Sequence, residues 1–116
     1  MPRKTIGELE FAKVYPMYVQ KVERKGRTRA ELDEAIRWLT GYAQAALEAA
    51  QKGDADFQTF FDAAPALNPA RDRITGLICG YRVEAIEDPI AQKVRQLDKL
   101  VDEIAKGRPM AKVLRT

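Results

Sequence analysis

The chain has 116 residues, 46% of them hydrophobic and 32% charged, with a mean hydropathy of −0.40 and a formal net charge of +3. These values fit one soluble domain with a small core and exclude a disordered or membrane-embedded chain, since no apolar run approaches the roughly 20 residues that span a bilayer. Histidine is absent and Cys79 is the single cysteine, which excludes an internal disulfide, a Ser/His/Asp or Cys/His dyad and any histidine metal site.

Carboxylate, lysine and tyrosine chemistry is what remains. A lone thiol suits a reducing compartment, and "MPRKTIGELEF" has a basic start with no apolar segment behind it, so the expected location is cytoplasmic. Residues 1–10 are expected to form a flexible tail and residues 11–116 a single helical domain. Charge is uneven along the chain: +1 over residues 1–19, +4 over 20–30, −5 over 31–72, −1 over 73–105 and +4 over 106–116. If the two basic blocks, "QKVERKGRTRA" and "KGRPMAKVLRT", meet in space they make one electropositive patch; apart, each is ordinary solvated charge.

In chain order, Phe11, Val14, Tyr15, Tyr18, Val19 and Val22 have amphipathic helical spacing, with Pro16 near the first turn or kinking the helix and Gly26 ending it. Thr28 and Glu31 have the form of a capping box, and Leu32, Ala35, Ile36 and Leu39 supply the stripe of the next helix up to Gly41. The alanine-rich "YAQAALEAAQKG" predicts a third helix ending at Gly53. Asp54 or Asp56 then caps a short helix presenting Phe57, Phe60, Phe61 and Ala64, closed by Pro65. Asn68-Pro69 reads as N-cap and first helical residue, with Ile74, Leu77, Ile78 and Tyr81 facing inward.

"GYRVEA" also alternates like a short strand within residues 81–86, but no second strand is evident, so an extended connection without a sheet is expected there. Asp88-Pro89 opens the last helix. Ile90, Val94, Leu97, Val101 and Ile104, widened by Leu100, form a seam that packs on the rest of the domain or on a second copy, and Lys99 and Glu103 are spaced as an i, i+4 pair.

The blocks "VYPMYVQKVERKGRT", "WLTGY", "DFQTFF", "LNP", "ICGYRVEAIEDP" and "QLDKLVDEIAKG" resemble a bacterial family catalogued as a domain of unknown function, number 2200. The resemblance runs from Phe11 to Arg115. It implies a small intracellular bacterial protein and transfers no catalytic residue.

Three constellations are candidates for chemistry. Glu84, Glu87 and Asp88 form an acid corner, and Asp98 and Asp102 lie one helical turn apart, able to share a divalent ion or a proton; otherwise they are a wet helix face and Asp88 is a cap. Cys79 has only Arg82 near it in sequence to lower its pKa, and its plainer role is a small buried hydrophobe. The third set is Tyr15 and Tyr18 with Lys21, Arg24, Lys25, Arg27 and Arg29. Stacking beside phosphate-binding charge suits single-stranded nucleic acid, whereas tyrosines at a core edge with solvated cations are the ordinary alternative.

The resulting expectation is an all-α single domain of five or six short helices, with no cofactor and no metal centre. Its function is expected to be a non-enzymatic binding or interaction module, self-associating as a homo-oligomer through an apolar helix face, away from membranes, with the basic blocks free for an anionic partner. The alternatives are a small enzyme or ligand-binding protein using the carboxylates, with or without a divalent metal, and a low-specificity nucleic-acid binder using residues 21–29 and 106–115. A closed pocket lined by Tyr15, Trp38, Cys79, Tyr81 and Arg82 would favour ligand binding; a flat apolar face on the last helix would favour association.

Overall fold

Apolar side chains spaced by three and four residues need a helix to share a face. The computed structural model, which describes residues 6–115, winds Phe11, Tyr15, Tyr18 and Val22 into the buried side of α1 (Phe11–Arg24). The helix runs through Pro16, whose missing N–H costs one backbone bond on the exposed side. α2 (Arg29–Thr40) starts at a complete capping box, the Thr28 hydroxyl accepting from the Glu31 N–H while the Glu31 carboxylate accepts from the Thr28 N–H at 3.1 Å. α3 (Gln44–Lys52) ends at Gly53, and Asp56 caps α4 (Phe57–Asp62) through a 2.8 Å bond from the Thr59 N–H.

Gly41 closes α2 with φ of 80°, and a Cβ there would lie 2.8 Å from the backbone of Ala66. The chain returns tightly here because the Ala66 and Asn68 N–H groups bond the carbonyls of Thr40 and Leu39. Gly41→Ala is therefore expected to lose about 2 kcal/mol or more, from left-handed backbone strain plus the clash. Urea denaturation measures it, and a cost below about 0.5 kcal/mol would show that the return is looser than described.

α5 (Pro89–Ala105), capped by the Asp88 carboxylate, is the central element. Ile90, Val94, Leu97, Leu100, Val101 and Ile104 all point into the core, and the helix touches α1, α2, α4 and the short α6 (Met110–Val113). Its apolar seam is thus used within one chain and is not a free association face. Lys99 does not pair with Glu103 as its spacing suggested: Lys99 donates to the Leu77 carbonyl, and Glu103 is held by Arg108 and Arg115.

The chain between α4 and α5 differs from the expectation of a helix followed by a sheetless connection. Asn68-Pro69 does initiate helical structure, but only a 3-10 turn, Pro69–Arg73. Gly76, at φ of 106°, diverts the chain into β1 (Leu77–Ile78), which pairs antiparallel with β2 (Tyr81–Arg82), Leu77 opposite Arg82 and Ile78 opposite Tyr81. The partner strand lies just upstream, in residues whose spacing also suits a helix. Cys79 and Gly80 both have positive φ, 51° and 81°, as a two-residue type I′ hairpin requires. Ile78 is buried, while Leu77 and Tyr81 are exposed rather than inward-facing.

Residues 6–10, within the expected N-terminal tail, are held against the domain. Ile6–Glu8 forms a 3-10 turn with Gly7 buried, and the backbone of residues 9–11 is bonded to that of residues 55–57. Within the expected tail, residues 1–5 lie outside the described residues.

A candidate anion-binding seam between α1 and α5

α1 and α5 lie side by side and parallel, because successive turns of one meet successive turns of the other. Tyr18 donates its hydroxyl to Asp98, and one turn further on Lys21 pairs with Asp102 at 3.3 Å. Both helices therefore end at the same place. There the chain opens a groove of about 710 Å³, lined by Met17, Gln20, Lys21 and Arg24 of α1 with its C-cap Lys25, and by Asp102 and Ala105 of α5 with its C-cap Lys106.

The first basic block meets one residue of the second, Lys106, in this groove, while Arg108 and Arg115 of the second block are paired with Glu103 instead. Asp102 bridges the two blocks, holding Lys21 on one side and Lys106 at 3.0 Å on the other. Burial acts to raise the Asp102 pKa, but hydrogen bonds from Lys106 and Lys21 outweigh it, so the carboxyl lies below its ordinary value and stays ionised at neutral pH. Arg24 and Lys25 are exposed and make no ion pair or side-chain hydrogen bond among the described residues. Part of this charge belongs to the scaffold, since cations at helix C-termini oppose the helix dipoles. Four cations against one carboxylate and two helix ends of about −0.5 each still leave roughly +2.

Arg27 and Arg29, the other expected anion binders, are committed elsewhere. Arg27 lies between α1 and α2, forks onto Glu31 and donates to the carbonyls of Ile104 and Arg108, tying down the C-terminal end of α5. That guanidinium is the main reason why the Glu31 carboxyl is lowered to about 2. Arg29 donates to the Tyr15 hydroxyl at 2.9 Å and to Gln51, and its guanidinium lies over the Tyr15 ring.

The five residues expected to share a pocket are not brought together. Tyr15 lines a shallow groove with Arg29 and Gln51; Tyr81 lines another with Ile6, Ile86 and Arg95, whose guanidinium lies 5.1 Å from the Tyr81 ring centroid. Cys79 is exposed at the hairpin tip, not a buried hydrophobe, and Arg82 is exposed beside Glu84. Trp38 is half-buried on α2 and packs against the core, its Nε1 without an acceptor among the described residues.

The carboxylates are separated as well. Asp98 takes Tyr18 and Arg95, Asp102 takes the two lysines, Glu84 accepts from the Gly76 N–H, and Asp88 is the α5 cap. The exposed Glu87 lies outside these contacts. Among the described residues no three His, Cys, Asp or Glu side chains are grouped to hold a metal ion, and no helix is long and apolar enough to cross a membrane.

Sequence reasoning overlooked Met17, which projects from the groove wall, and Asp33, which is buried beneath α1. Asp33 accepts from the Tyr15 hydroxyl and from Gln44 at 3.0 Å. Its only sequence signal is adjacency to the apolar stripe of α2. Burial first, and then the hydrogen bond to Asp33, pushes the Tyr15 phenol up to about 12; burial and the Asp98 charge raise Tyr18 well above its ordinary value, and burial raises Tyr42.

A phenol with a higher pKa folded than unfolded stabilises the fold fully below the unfolded value, about 10, and loses that contribution as pH rises toward the folded value. Phenolate absorbance of Tyr15, Tyr18 and Tyr42 is expected to appear together with loss of helical circular dichroism above pH about 10. Independent, ordinary titrations of Tyr15, Tyr18 and Tyr42 with the helices intact would contradict the burial of these rings.

The crystal structure of an uncharacterized protein, SP1917, is similar to this chain with 42% identity and a TM-score of 0.90, over 97% of this chain and 93% of that one. No curated protein matches the sequence. The family match covers residues 5–115, reaching upstream of the Phe11 start suggested by the sequence resemblance, and the chain belongs to DUF2200, a family described as an uncharacterized protein conserved in bacteria.

Proposed function

We propose that this protein is a non-enzymatic binding module that captures an anionic partner on the α1–α5 seam, in the cytoplasm. One observation carries the proposal: Lys21, Arg24, Lys25 and Lys106 converge on one groove from the two basic blocks. The groove is comparable in width with the Debye length of about 8 Å at physiological salt and much narrower than the roughly 30 Å of 0.01 M salt, so its charges act as one site on an approaching anion most fully at low ionic strength. The exposed lone thiol of Cys79 is consistent with a reducing compartment. Catalysis by Asp98 and Asp102 has less support, because each carboxylate is already held by its own cations.

The test uses the full chain at low ionic strength with two labelled probes, an oligoglutamate peptide and a mixed-sequence single-stranded oligonucleotide, read by fluorescence anisotropy. At least one is expected to bind, to be released by salt, and to bind at least tenfold more weakly to the double variant Arg24→Glu/Lys25→Glu, a loss of about 1.4 kcal/mol or more. Both substitutions are on exposed side chains, so unchanged thermal unfolding separates lost binding from lost folding. Failure of both probes, or indifference to the charge reversal, overturns the proposal.

A further inference from the structure

The outer stripe of α1 changes chemistry along its length. Val14 and Met17 border a mostly apolar groove of about 420 Å³ with Ile6, Leu9 and Val94, which the Arg95–Asp98 ion pair also lines, and Met17 also lines the basic groove that begins one turn later. The two grooves therefore adjoin at Met17, one mostly apolar and the other cationic, along the same side of α1 and α5. Leu9 and Met17, 40% and 58% exposed, are two of four large hydrophobic side chains left in water among the described residues, and both border the first groove.

We infer that the seam accepts an acidic, amphipathic segment of another protein, its apolar side chains over Leu9, Val14 and Met17 and its carboxylates at Arg24, Lys25 and Lys106. The inference rests on the anion-binding reading and names its partner. From Val14 to Lys25 is about 16 Å at roughly 1.5 Å per helical residue, enough to seat three turns of a helix or about five extended residues. Charge complementarity steers the acidic end. Apolar contact, with a flexible thioether that adapts to its neighbour, supplies the grip.

The same geometry disfavours nucleic acid. Binding of a single strand by stacking needs exposed aromatic faces beside the cations. Tyr15 and Tyr18 are buried, with their hydroxyls spent on Asp33 and Asp98, and what stands in water beside the lysines is Met17. Asp102 in the middle of the cation cluster would also repel a continuous phosphate backbone, while a peptide can space its carboxylates around it.

The deciding experiment titrates the full chain with three labelled probes: an acidic peptide with leucines at helical spacing and glutamates toward one end, a scrambled peptide of the same composition, and the single-stranded oligonucleotide. The patterned peptide is expected to bind at least tenfold more tightly than either other probe. Met17→Asp should remove that preference while the circular dichroism melt stays unchanged. Equal binding of patterned and scrambled peptides, or tighter binding of the oligonucleotide, overturns the inference and leaves the anion-binding proposal standing; no binding of any probe removes both. A light-scattering mass of a dimer that Met17→Asp converts to a monomer would place a second copy in the seam and overturn the assignment to another protein.

Discussion

Phe60→Ala is expected to destabilise the protein by about 3–5 kcal/mol, out of the roughly 5–15 kcal/mol that holds a domain of this kind folded. Phe60 is 2% exposed and lies where the start of α1 meets α4. Its ring stacks on Phe11 with centroids 4.1 Å apart and planes 7° from parallel, Phe61 meets it edge-on at 5.3 Å, and Tyr42 packs at 4.9 Å. The Tyr42 hydroxyl also donates to the Phe60 carbonyl at 2.6 Å. Truncation removes the ring contacts and leaves a void that cannot collapse, because α1 and α4 are tied together by the Phe11 and Phe57 N–H bonds to Ala55 and Leu9. Guanidinium unfolding with an unchanged slope measures the loss. A loss under about 1 kcal/mol would mean that the ring cluster is not the packed corner described.

Asp33→Ala has the next largest expected effect, about 2–4 kcal/mol, and by a different route. The carboxylate is 5% exposed and is the acceptor for both the Tyr15 hydroxyl and the Gln44 amide, while Arg29 completes the group by donating to the Tyr15 oxygen. Alanine leaves the buried Tyr15 hydroxyl and the half-buried Gln44 amide without this acceptor, and the cost lies mainly in those orphaned groups, not in the bonds themselves. Asp33→Asn should recover more than half of the loss: its amide oxygen still accepts from Tyr15, and the Gln44 amide can rotate to offer its own oxygen. If alanine and asparagine cost the same, charge and not hydrogen bonding is what Asp33 provides. The same denaturant titration separates the two.

Helices α1 to α5 and their ends were legible because their signals are local, whereas the short α6 was not expected. Thr28 with Glu31, Gly41 and Asp88-Pro89 each act within one turn and lie where the sequence puts them, and of the two caps open for α4, Asp54 or Asp56, the structure uses Asp56. The seam of α5 was legible as a buried stripe, because 3.6-residue periodicity is also local. The hairpin was not. Its two strands have two residues each, Ile74, Leu77 and Ile78 also fit helical spacing, and its type I′ turn uses Cys79-Gly80 instead of the Asn-Gly that marks such turns in a sequence.

The candidate site was legible only as ingredients. Lys21, Arg24 and Lys25 could be named, but their meeting with Lys106 depends on α1 and α5 running parallel, which no spacing within either helix encodes. Arg27 and Arg29 looked equivalent to them in sequence. Tertiary contacts with Glu31, Ile104, Tyr15 and Gln51 turn both into structural side chains. Asp33 was hidden because a carboxylate within a helix is usually solvated, and only the docking of α1 buries it.

The central claim is that the cations at the joint end of α1 and α5 act together on an anion, and the salt dependence of binding tests it most directly. The slope of log affinity against log salt, measured for the tighter-binding anionic probe, counts the charges engaged. The wild-type slope is expected to be steeper than that of Arg24→Glu/Lys25→Glu, by roughly two where the probe is the oligonucleotide, one for each cation removed. Equal slopes for the two proteins would contradict the account, because binding would then not pass through this seam.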